Sequence, residues 1–263
     1  MHLHLITLVL NGEPWIRRHL PELEKLKHRW TWHIMEGVAA PHHDTSWIAS
    51  QSPSLSTDGT HEYLESLSCH PHVRVTSRLL WDGKIEMVNH PFSQPGVITE
   101  PAVIMQQDSD ECWRADQYDQ IMLAFRQRQS LRTMQFKCRY FVGPDVIAQG
   151  EDCYGLNPGE WVRAWRYQRG FRFITHEPPN FAGNRGAIMD RNVTERMGLV
   201  FDHFAYATEA QVKYKERVYK YAGAVDAWKK LQANTEWPCK LRTYLPWVDE
   251  RAEAVRIGEK FLA

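Results

Sequence analysis

The chain opens with a stretch that decides the class of fold: residues 3–10 read LHLITLVL, and residues 11–14 read NGEP. An apolar run closed directly by turn-forming residues predicts a buried strand of parallel-sheet type. Leu20, Leu23 and Leu26 then follow at helical spacing among charged residues, which predicts an amphipathic helix. A second strand pattern, WTWHIM, occupies residues 30–35. Strand, helix and strand in this order predict a βαβ unit with a right-handed crossover.

The same alternation continues along the chain after residue 60. Residues 39–58 are rich in Pro, His, Ser and Thr and are predicted to form a long loop. The predicted helices cover 60–67, 115–126, 210–221 and 226–231, and a further short helix is predicted to follow a turn at 81–84 and to end at 89. The predicted strands cover 73–75, 101–107, 134–142, 161–167 and 171–176. The predicted fold class is therefore α/β, with a mixed, mostly parallel sheet flanked by helices and a C-terminal helical appendage.

Composition excludes several classes of protein. Hydrophobic residues make up 43% and charged residues 24% of the chain, as in an ordinary soluble globule. Thirty-two basic residues balance thirty-two acidic ones, which leaves no broad positive field for duplex nucleic acid. Five cysteines without a Cys-x-x-Cys motif argue against a disulfide framework or a structural zinc site and predict a reducing compartment.

Membrane insertion is not predicted. The longest apolar run, near residues 3–10, is far shorter than the roughly 20 residues that cross a bilayer. No positively charged leader precedes this run, so the sequence predicts a cytoplasmic protein without a membrane span. Eleven Trp, ten Tyr and ten Phe are available to fill cores or to stack on sugars and bases, and Trp47 and Trp113 are the candidates for stacking.

Acidic residues follow the strand predicted at 101–107. Asp108 and Asp110 point the same way if strand alternation continues, and Glu111 follows them. Carboxylates at the carboxyl end of a parallel strand suit a Mg²⁺ or Mn²⁺ ion whose open positions are filled by phosphate and water. An isolated Asp-x-Asp motif is more often a solvated turn that caps the next helix. The prediction of a metal site therefore depends on the position of this motif at the end of a predicted strand.

These motifs together resemble nucleotide-sugar-dependent glycosyltransferases with the GT-A fold, most closely the family-two-like group, over most of the chain. Residues 6–13 look like the family's first strand and turn, which implies that Leu10, Asn11 and Glu13 line the nucleoside. Glu36 lies where the family has an acidic residue near the base. Residues 107–111, QDSDE, match the family's metal-binding motif.

Further donor-binding residues are implied by the same resemblance. Asp58 belongs to a stretch similar to the family's Ser-Thr-Asp-Gly-Thr segment, and Lys84 with Asn89 resembles the segment before the metal motif. The chain departs from the family in two places. The usual acidic pair after the second strand is reduced to Glu36, and the His-rich loop at residues 42–44 is inserted before Asp58. The donor base is therefore left open between UDP and GDP sugars.

The second half of the chain supplies the remaining candidates. His203 resembles the C-terminal His that joins Asp108 and Asp110 at the metal, and Lys213, with Lys215, is a candidate diphosphate contact. A surface or core histidine is the alternative for His203. Glu177 closes an aromatic strand and is the first candidate for the general base of an inverting transfer. A structural salt bridge of Glu177 to Arg163 or Arg166 is its alternative. The rival candidate bases are Glu160 and Asp152.

The predicted function is metal-dependent transfer of a sugar from a UDP or GDP donor to a hydroxyl, with Mn²⁺ or Mg²⁺ as cofactor. A catalytic domain is predicted over 1–200, with a donor half at 1–112 and an acceptor half at 113–200. Residues 201–263 are predicted to form a helical extension that completes the active site. The acceptor stays open between saccharide, protein, lipid carrier and modified nucleic-acid base.

Two other functions compete with this one. A nucleotidyltransferase would need a Gly-rich loop bearing Lys or Arg after the first strand, and residues 11–14 lack it. A non-catalytic module that binds carbohydrate or nucleic acid through the Trp-rich surface would leave the carboxylates purely structural.

Overall fold

The predicted βαβ unit is present, and its two strands belong to a larger sheet. The structure is a computed structural model that describes residues 1–150, 161–182, 186–246, 248 and 251–258. Its first half forms β1 His2–Val9, α1 His19–Leu23, β2 Trp30–Ala39, α2 Thr60–Ser66, β3 Val73–Trp81, α3 Lys84–Asn89, β4 Ala102–Gln106, β5 Glu111–Cys112 and α4 Ala115–Gln127. Strands β4, β1, β2 and β3 lie side by side in this order and run parallel.

The second half of the chain completes this sheet and begins another. It forms β6 Leu131–Gln135, β7 Lys137–Phe141, β8 Val146–Gln149, β9 Val162–Arg166, β10 Phe173–His176, β11 Pro179–Phe181, β12 Ala187–Met189, α5 Arg191–Arg196, β13 Val200–His203, α6 Glu209–Val218, α7 Ala224–Gln232, β14 Cys239–Lys240 and β15 Glu253–Arg256. In the described residues the first sheet has seven strands, in the order β12-β6-β9-β4-β1-β2-β3. Only the pairs that β9 makes are antiparallel, so the predicted mixed, mostly parallel sheet is confirmed.

A second sheet was not predicted. It has six strands in the described part of the chain, in the order β14-β15-β8-β7-β13-β5, and all its pairs except β7 with β13 are antiparallel. The single strand predicted over 134–142 is in fact two strands, β6 and β7, that belong to different sheets. Phe136 separates them, and its buried N–H donates to the carbonyl of Trp161 at 2.9 Å.

The C-terminal segment differs from the prediction as well. Helices α6 and α7 are present, but β13, β14 and β15 join the second sheet, so a purely helical appendage is wrong. These strands are two to four residues long and too short to carry a clear period-2 signal. The boundary predicted at residue 200 stays a prediction.

The hydrophobic core covers both faces of the first sheet. On one face, α4 packs its buried stripe of Tyr118, Ile121, Met122 and Phe125 against Leu3 and Leu5 of β1. On the other face, Ile6 packs with residues of α3 and of the β10–β11 hairpin. Because successive residues of a strand face opposite ways, β1 contributes side chains to the core on both faces of the sheet. Because helices cover both faces of the sheet, the loops after β1, β2 and β4 lie at its carboxyl edge.

Across the described residues, no helix combines the length and the apolar character that crossing a bilayer requires.

Candidate active site

A cavity of about 950 Å³ lies at the carboxyl edge of the first sheet. Its walls come from the turns after β1 and β4, from the N-terminus of α3, from the end of β10 and from α6. Most of the predicted site residues line it. These are Leu10, Asn11, Glu13, Asp58, Lys84, Asp108, Asp110, Glu177, His203 and Lys213. Distant parts of the sequence therefore meet where parallel sheets hold their ligands.

Asp108 and Asp110 have different partners, although strand alternation predicted a common direction. Strand β4 ends at Gln106, and the chain turns so that the N–H of Glu111 donates to the carbonyl of Asp108 at 3.0 Å. Asp108 lies 3.5 Å from a guanidinium nitrogen of Arg163. Asp110 lies 3.5 Å from Nε2 of His203. Asp108 thus contacts a residue of the first sheet, Arg163, whereas Asp110 contacts a residue of the second sheet, His203.

The Asp110–His203 pair is held by backbone pairing. Glu111 in β5 is the antiparallel partner of His203 in β13, and the N–H of Phe204 donates to the carbonyl of Asp110 at 2.9 Å. Burial raises the pKa of Asp110, but His203 and Lys215 outweigh this effect and hold the pKa well below its usual range. Asp110 is therefore ionised at neutral pH.

These two side chains fit a divalent cation that arrives with a phosphate ligand. Nε2 of His203 lies 3.5 Å from Oδ1 of Asp110, farther than in a usual hydrogen bond, and in the described part of the chain the other ring nitrogen, Nδ1, is buried without a hydrogen-bond partner. In the described residues, no group of three or more His, Cys, Asp or Glu side chains is arranged to hold a metal. Mg²⁺ and Mn²⁺ accept one or two protein ligands when phosphate oxygens and water supply the rest.

A buried ion pair anchors the acidic turn from behind. Arg163 in β9 donates from Nε and from its terminal nitrogen to Glu111 at 2.9 and 2.6 Å, and both side chains are almost wholly buried. Gln107 adds a hydrogen bond to the carbonyl of Glu111 at 2.8 Å. Sequence reasoning missed this pair. An arginine at an otherwise aromatic and buried strand position was the available signal, because a buried charge requires a partner.

Glu177 directly follows β10 and lines the cavity. It forms a salt bridge with Lys84, the first residue of α3, and lies 3.6 Å from Nδ1 of His176. Burial raises the pKa of Glu177, but Lys84 and His176 together bring it far below the ordinary value. The carboxylate is thus fixed and ionised. The rival candidates Glu160 and Asp152 lie outside the described residues.

Asn11 and Asp58 connect the turn after β1 with the loop before α2. Asn11 adopts a left-handed backbone with φ of 59°, which Asn tolerates, and its Oδ1 accepts from the N–H of Thr57 at 2.8 Å. Asp58 accepts from the N–H of Glu13 at 3.0 Å and from that of Thr60 at 3.1 Å. Both side chains line the cavity while they hold its rim together.

Glu36 and Asn89 are absent from the described residues that line the cavity. Glu36 is wholly buried and accepts hydrogen bonds from Ser77, His61 and the N–H of Ser56, at 2.7, 2.9 and 3.2 Å. Burial raises its pKa, but these bonds outweigh burial and lower it.

Asn89 ties α3 to β10. Its side chain donates to the carbonyl of Phe173 at 2.8 Å and accepts from the N–H of Phe173 at 2.9 Å. Both Glu36 and Asn89 therefore support the loops behind the cavity wall.

The contacts of Glu177, Arg163 and Arg166 differ from the salt bridge named as the alternative: Glu177 pairs with Lys84, and Arg163 pairs with Glu111. Arg166 donates to backbone carbonyls, that of Leu131 at 2.9 Å among them. Trp113 is a core residue, stacked on Phe201 with ring centres 4.6 Å apart, so it is not available to a sugar. Trp47 is 46% exposed, and its ring lies 5.1 Å from that of Tyr219.

No protein-family model matches the chain, and no curated protein matches it significantly. Among solved structures, it is similar to the mannosyltransferase PcManGT from Pyrobaculum calidifontis in complex with GDP-Man and Mn²⁺. The TM-score is 0.50 at 12% identity, over 89% of this chain and 65% of that one.

The chain is also similar to Staphylococcus aureus TarS. A TarS fragment aligns with a TM-score of 0.48 at 13% identity, over 90% of this chain and 67% of the fragment. The UDP complex of TarS gives 0.39 at 16% identity, over 54% of this chain and 36% of that one. This chain thus spans between about a third and two thirds of the length of these proteins. The likeness to PcManGT shows that this chain has a fold resembling that of a nucleotide-sugar glycosyltransferase.

Proposed function

We propose that this chain is a metal-dependent glycosyltransferase of the GT-A, family-two-like type. It moves a sugar from a UDP or GDP donor to an acceptor hydroxyl and inverts the anomeric configuration. One observation carries the proposal: the carboxylate of Asp110 lies 3.5 Å from Nε2 of His203, in the same cavity as the fixed carboxylate of Glu177. This cavity lies at the carboxyl edge of a mostly parallel sheet, where donor nucleotides bind.

The donor half of the site lies on the first strands. The turn formed by Leu10, Asn11 and Glu13 binds the nucleoside, and Asp58 keeps this turn in place through the N–H of Glu13. Asp110 and His203 hold the Mn²⁺ or Mg²⁺ ion, with Asp108 beside them. When bound, the ion neutralises charge on the donor diphosphate. The sugar then faces the wall that carries Glu177 and Lys84.

Glu177 acts as the general base. It accepts the proton of the acceptor hydroxyl while the oxygen attacks the anomeric carbon. The carboxylate is ionised at neutral pH, and its salt bridge with Lys84 fixes its direction. Residues 113–200 contribute this acceptor side, and the segment from 201 onward contributes His203 and α6.

Calorimetry with UDP and with GDP, in the presence and absence of Mn²⁺, tests the proposal. We expect one of the two nucleotides to bind, and to bind more tightly with Mn²⁺. A panel of nucleotide sugars, scored for donor hydrolysis, then identifies the sugar without an acceptor. The proposal is contradicted if neither nucleotide binds, or if the affinity is the same with and without Mn²⁺. A clear preference for a nucleoside triphosphate would favour a nucleotidyltransferase instead.

A further inference from the structure

Gln106, the last residue of β4, contacts two other residues that line the cavity. Its side chain is almost wholly buried. Nε2 of Gln106 lies 3.2 Å from Nε2 of His176 and 3.5 Å from Oδ1 of Asp108. The backbone fixes its place, because Gln106 is the parallel partner of Ile6 in β1. The amide thus connects the acidic turn after β4 with the end of β10.

These two neighbours determine which way the amide of Gln106 points. A carboxylate only accepts hydrogen bonds, so the amide nitrogen, which donates, suits the side that faces Asp108. The reverse orientation would place the amide oxygen against Oδ1 of Asp108. It would also bury the nitrogen without an acceptor, because Oε1 has no hydrogen-bond partner among the described residues. The nitrogen therefore faces His176 as well, and Nε2 of His176 accepts from it.

This contact determines where a neutral His176 carries its proton. An imidazole ring that accepts at Nε2 has its proton on Nδ1. Nδ1 of His176 lies 3.6 Å from Oε1 of Glu177, and the ring of His176 is almost wholly buried. Lys84 pairs with the same oxygen. Two donors from different elements, α3 and β10, therefore meet on one oxygen of the carboxylate.

We propose that His176 is a positioning residue for Glu177 and that Gln106 sets the tautomer of His176. The inference rests on the function proposed above. In the transfer, the acceptor oxygen forms a bond to the anomeric carbon, and the bond from that carbon to the donor phosphate oxygen breaks. The electron pair of the broken bond stays on the phosphate oxygen, and the acceptor proton passes to Glu177. His176 keeps its own proton and directs the carboxylate.

The test compares three substitutions of His176 in single-turnover kinetics, with the donor that the hydrolysis panel identifies. In Asn the amide nitrogen is attached to Cγ, as Nδ1 is in His, whereas in Gln it is attached one bond farther out, like Nε2. We expect His176→Phe and His176→Gln to slow the transfer about 10- to 100-fold, as a displaced catalytic group does. His176→Asn should recover most of this loss. The affinity of all three variants for the nucleoside diphosphate in Mn²⁺, measured by calorimetry, should stay near that of the wild type.

A second measurement uses the wild-type protein. NMR of protein that contains nitrogen-15-labelled histidine, at slightly alkaline pH, distinguishes the two tautomers of a neutral imidazole. The signal that disappears in His176→Asn belongs to His176. We expect the proton on Nδ1 in the wild type and a mixture of both tautomers in Gln106→Met, because a thioether cannot donate a hydrogen bond.

The outcomes separate this inference from the proposed function. A proton on Nε2 in the wild type overturns the inference alone, and so do equal rates of His176→Asn and His176→Gln or an unchanged rate of His176→Phe. Failure of the wild-type protein to bind either UDP or GDP overturns the proposed function and the inference with it.

Discussion

The ends of β2 and β4 each carry a carboxylate that the family resemblance assigns to the nucleotide site, but their surroundings differ. Glu36, near the end of β2, is wholly buried and accepts three hydrogen bonds from Ser77, His61 and Ser56. Among the residues that the structure describes, the side chain of Asp110, after β4, has a single polar side-chain contact, a long one to Nε2 of His203. A buried carboxylate held by three hydrogen bonds stabilises the loops around it, whereas a carboxylate with fewer partners is available to a ligand.

The strongest test of this comparison is Asp110→Ala. We expect it to abolish metal-dependent nucleotide binding, because of the two proposed ligands of the cation only His203 would remain. The free energy of unfolding should change little, since the side chain makes few contacts. Calorimetry with and without Mn²⁺ measures the first effect, and urea denaturation measures the second. Asp116→Ala is the matched control, because Asp116 is exposed and pairs only with Arg114 in the described residues. Wild-type nucleotide affinity of Asp110→Ala in Mn²⁺ would refute the assignment.

Glu177→Gln should leave donor binding in Mn²⁺ near the wild-type level but slow sugar transfer at least about a hundredfold. Removal of a general base typically costs 10² to 10⁴ in rate. Single-turnover kinetics with saturating donor separates the two effects. If Glu177→Gln turns over normally while Glu160→Gln or Asp152→Asn is inactive, one of the rival residues is the base. If all three variants are active, the transfer either retains configuration or needs no side-chain base.

Glu36→Gln should behave in the opposite way to Asp110→Ala. The amide cannot accept from all three donors, so we expect the free energy of unfolding to fall by about 1–3 kcal/mol. Nucleotide affinity of the folded protein should stay close to that of the wild type, because Glu36 lies behind the cavity wall. Urea denaturation and calorimetry on the same preparation provide both numbers. A loss of affinity at unchanged stability would place Glu36 in contact with the base after all.

Buried histidines in the first sheet are expected to make the stability of the fold depend on pH, without affecting the candidate site. His4 and His33 form a hydrogen bond of 3.0 Å, and burial lowers their pKa values to about 2 and about 3. Nearby His2, Arg29 and Arg74 oppose protonation further. Because the unfolded value is about 6.5, the unfolded chain takes up protons first as the pH falls. The stability present above pH 6.5 is therefore lost progressively below it.

We expect the free energy of unfolding to fall by about 1 kcal/mol per pH unit and per histidine between pH 6 and pH 4. Urea denaturation at several pH values measures this slope. His33→Asn should reduce the slope, and an unchanged slope would mean that other groups cause the loss.

Local patterns account for the parts of the fold that could be predicted. Strands β1, β2 and β4 are apolar runs closed by turns, and α4 repeats its buried residues with helical period, so each is visible in a short window. The break at Phe136 is not, because it depends on a contact with Trp161. The pairing of β8 with β15 joins segments about a hundred residues apart, which no local period records.

Local sequence motifs likewise account for the part of the candidate site that could be predicted. Motif resemblance indicated Asp110, His203 and Glu177, and the fold gathers them in one cavity. The pairing of Arg163 with Glu111 and the contact of Gln106 with His176 depend on which side chains face each other in three dimensions. Sequence spacing along a strand or helix does not determine such long-range partners.

The backbone ladder between β5 and β13 has a thermodynamic consequence. It fixes the backbone spacing of Asp110 and His203 before any ligand arrives, so the cation that we propose to bind there would cost little conformational entropy. The same rigidity limits how far the two ligands can separate. Ca²⁺ needs longer bonds and more oxygen ligands than Mg²⁺ does. If Asp110 and His203 hold a cation as proposed, this fixed backbone spacing would discriminate between cations by ionic radius.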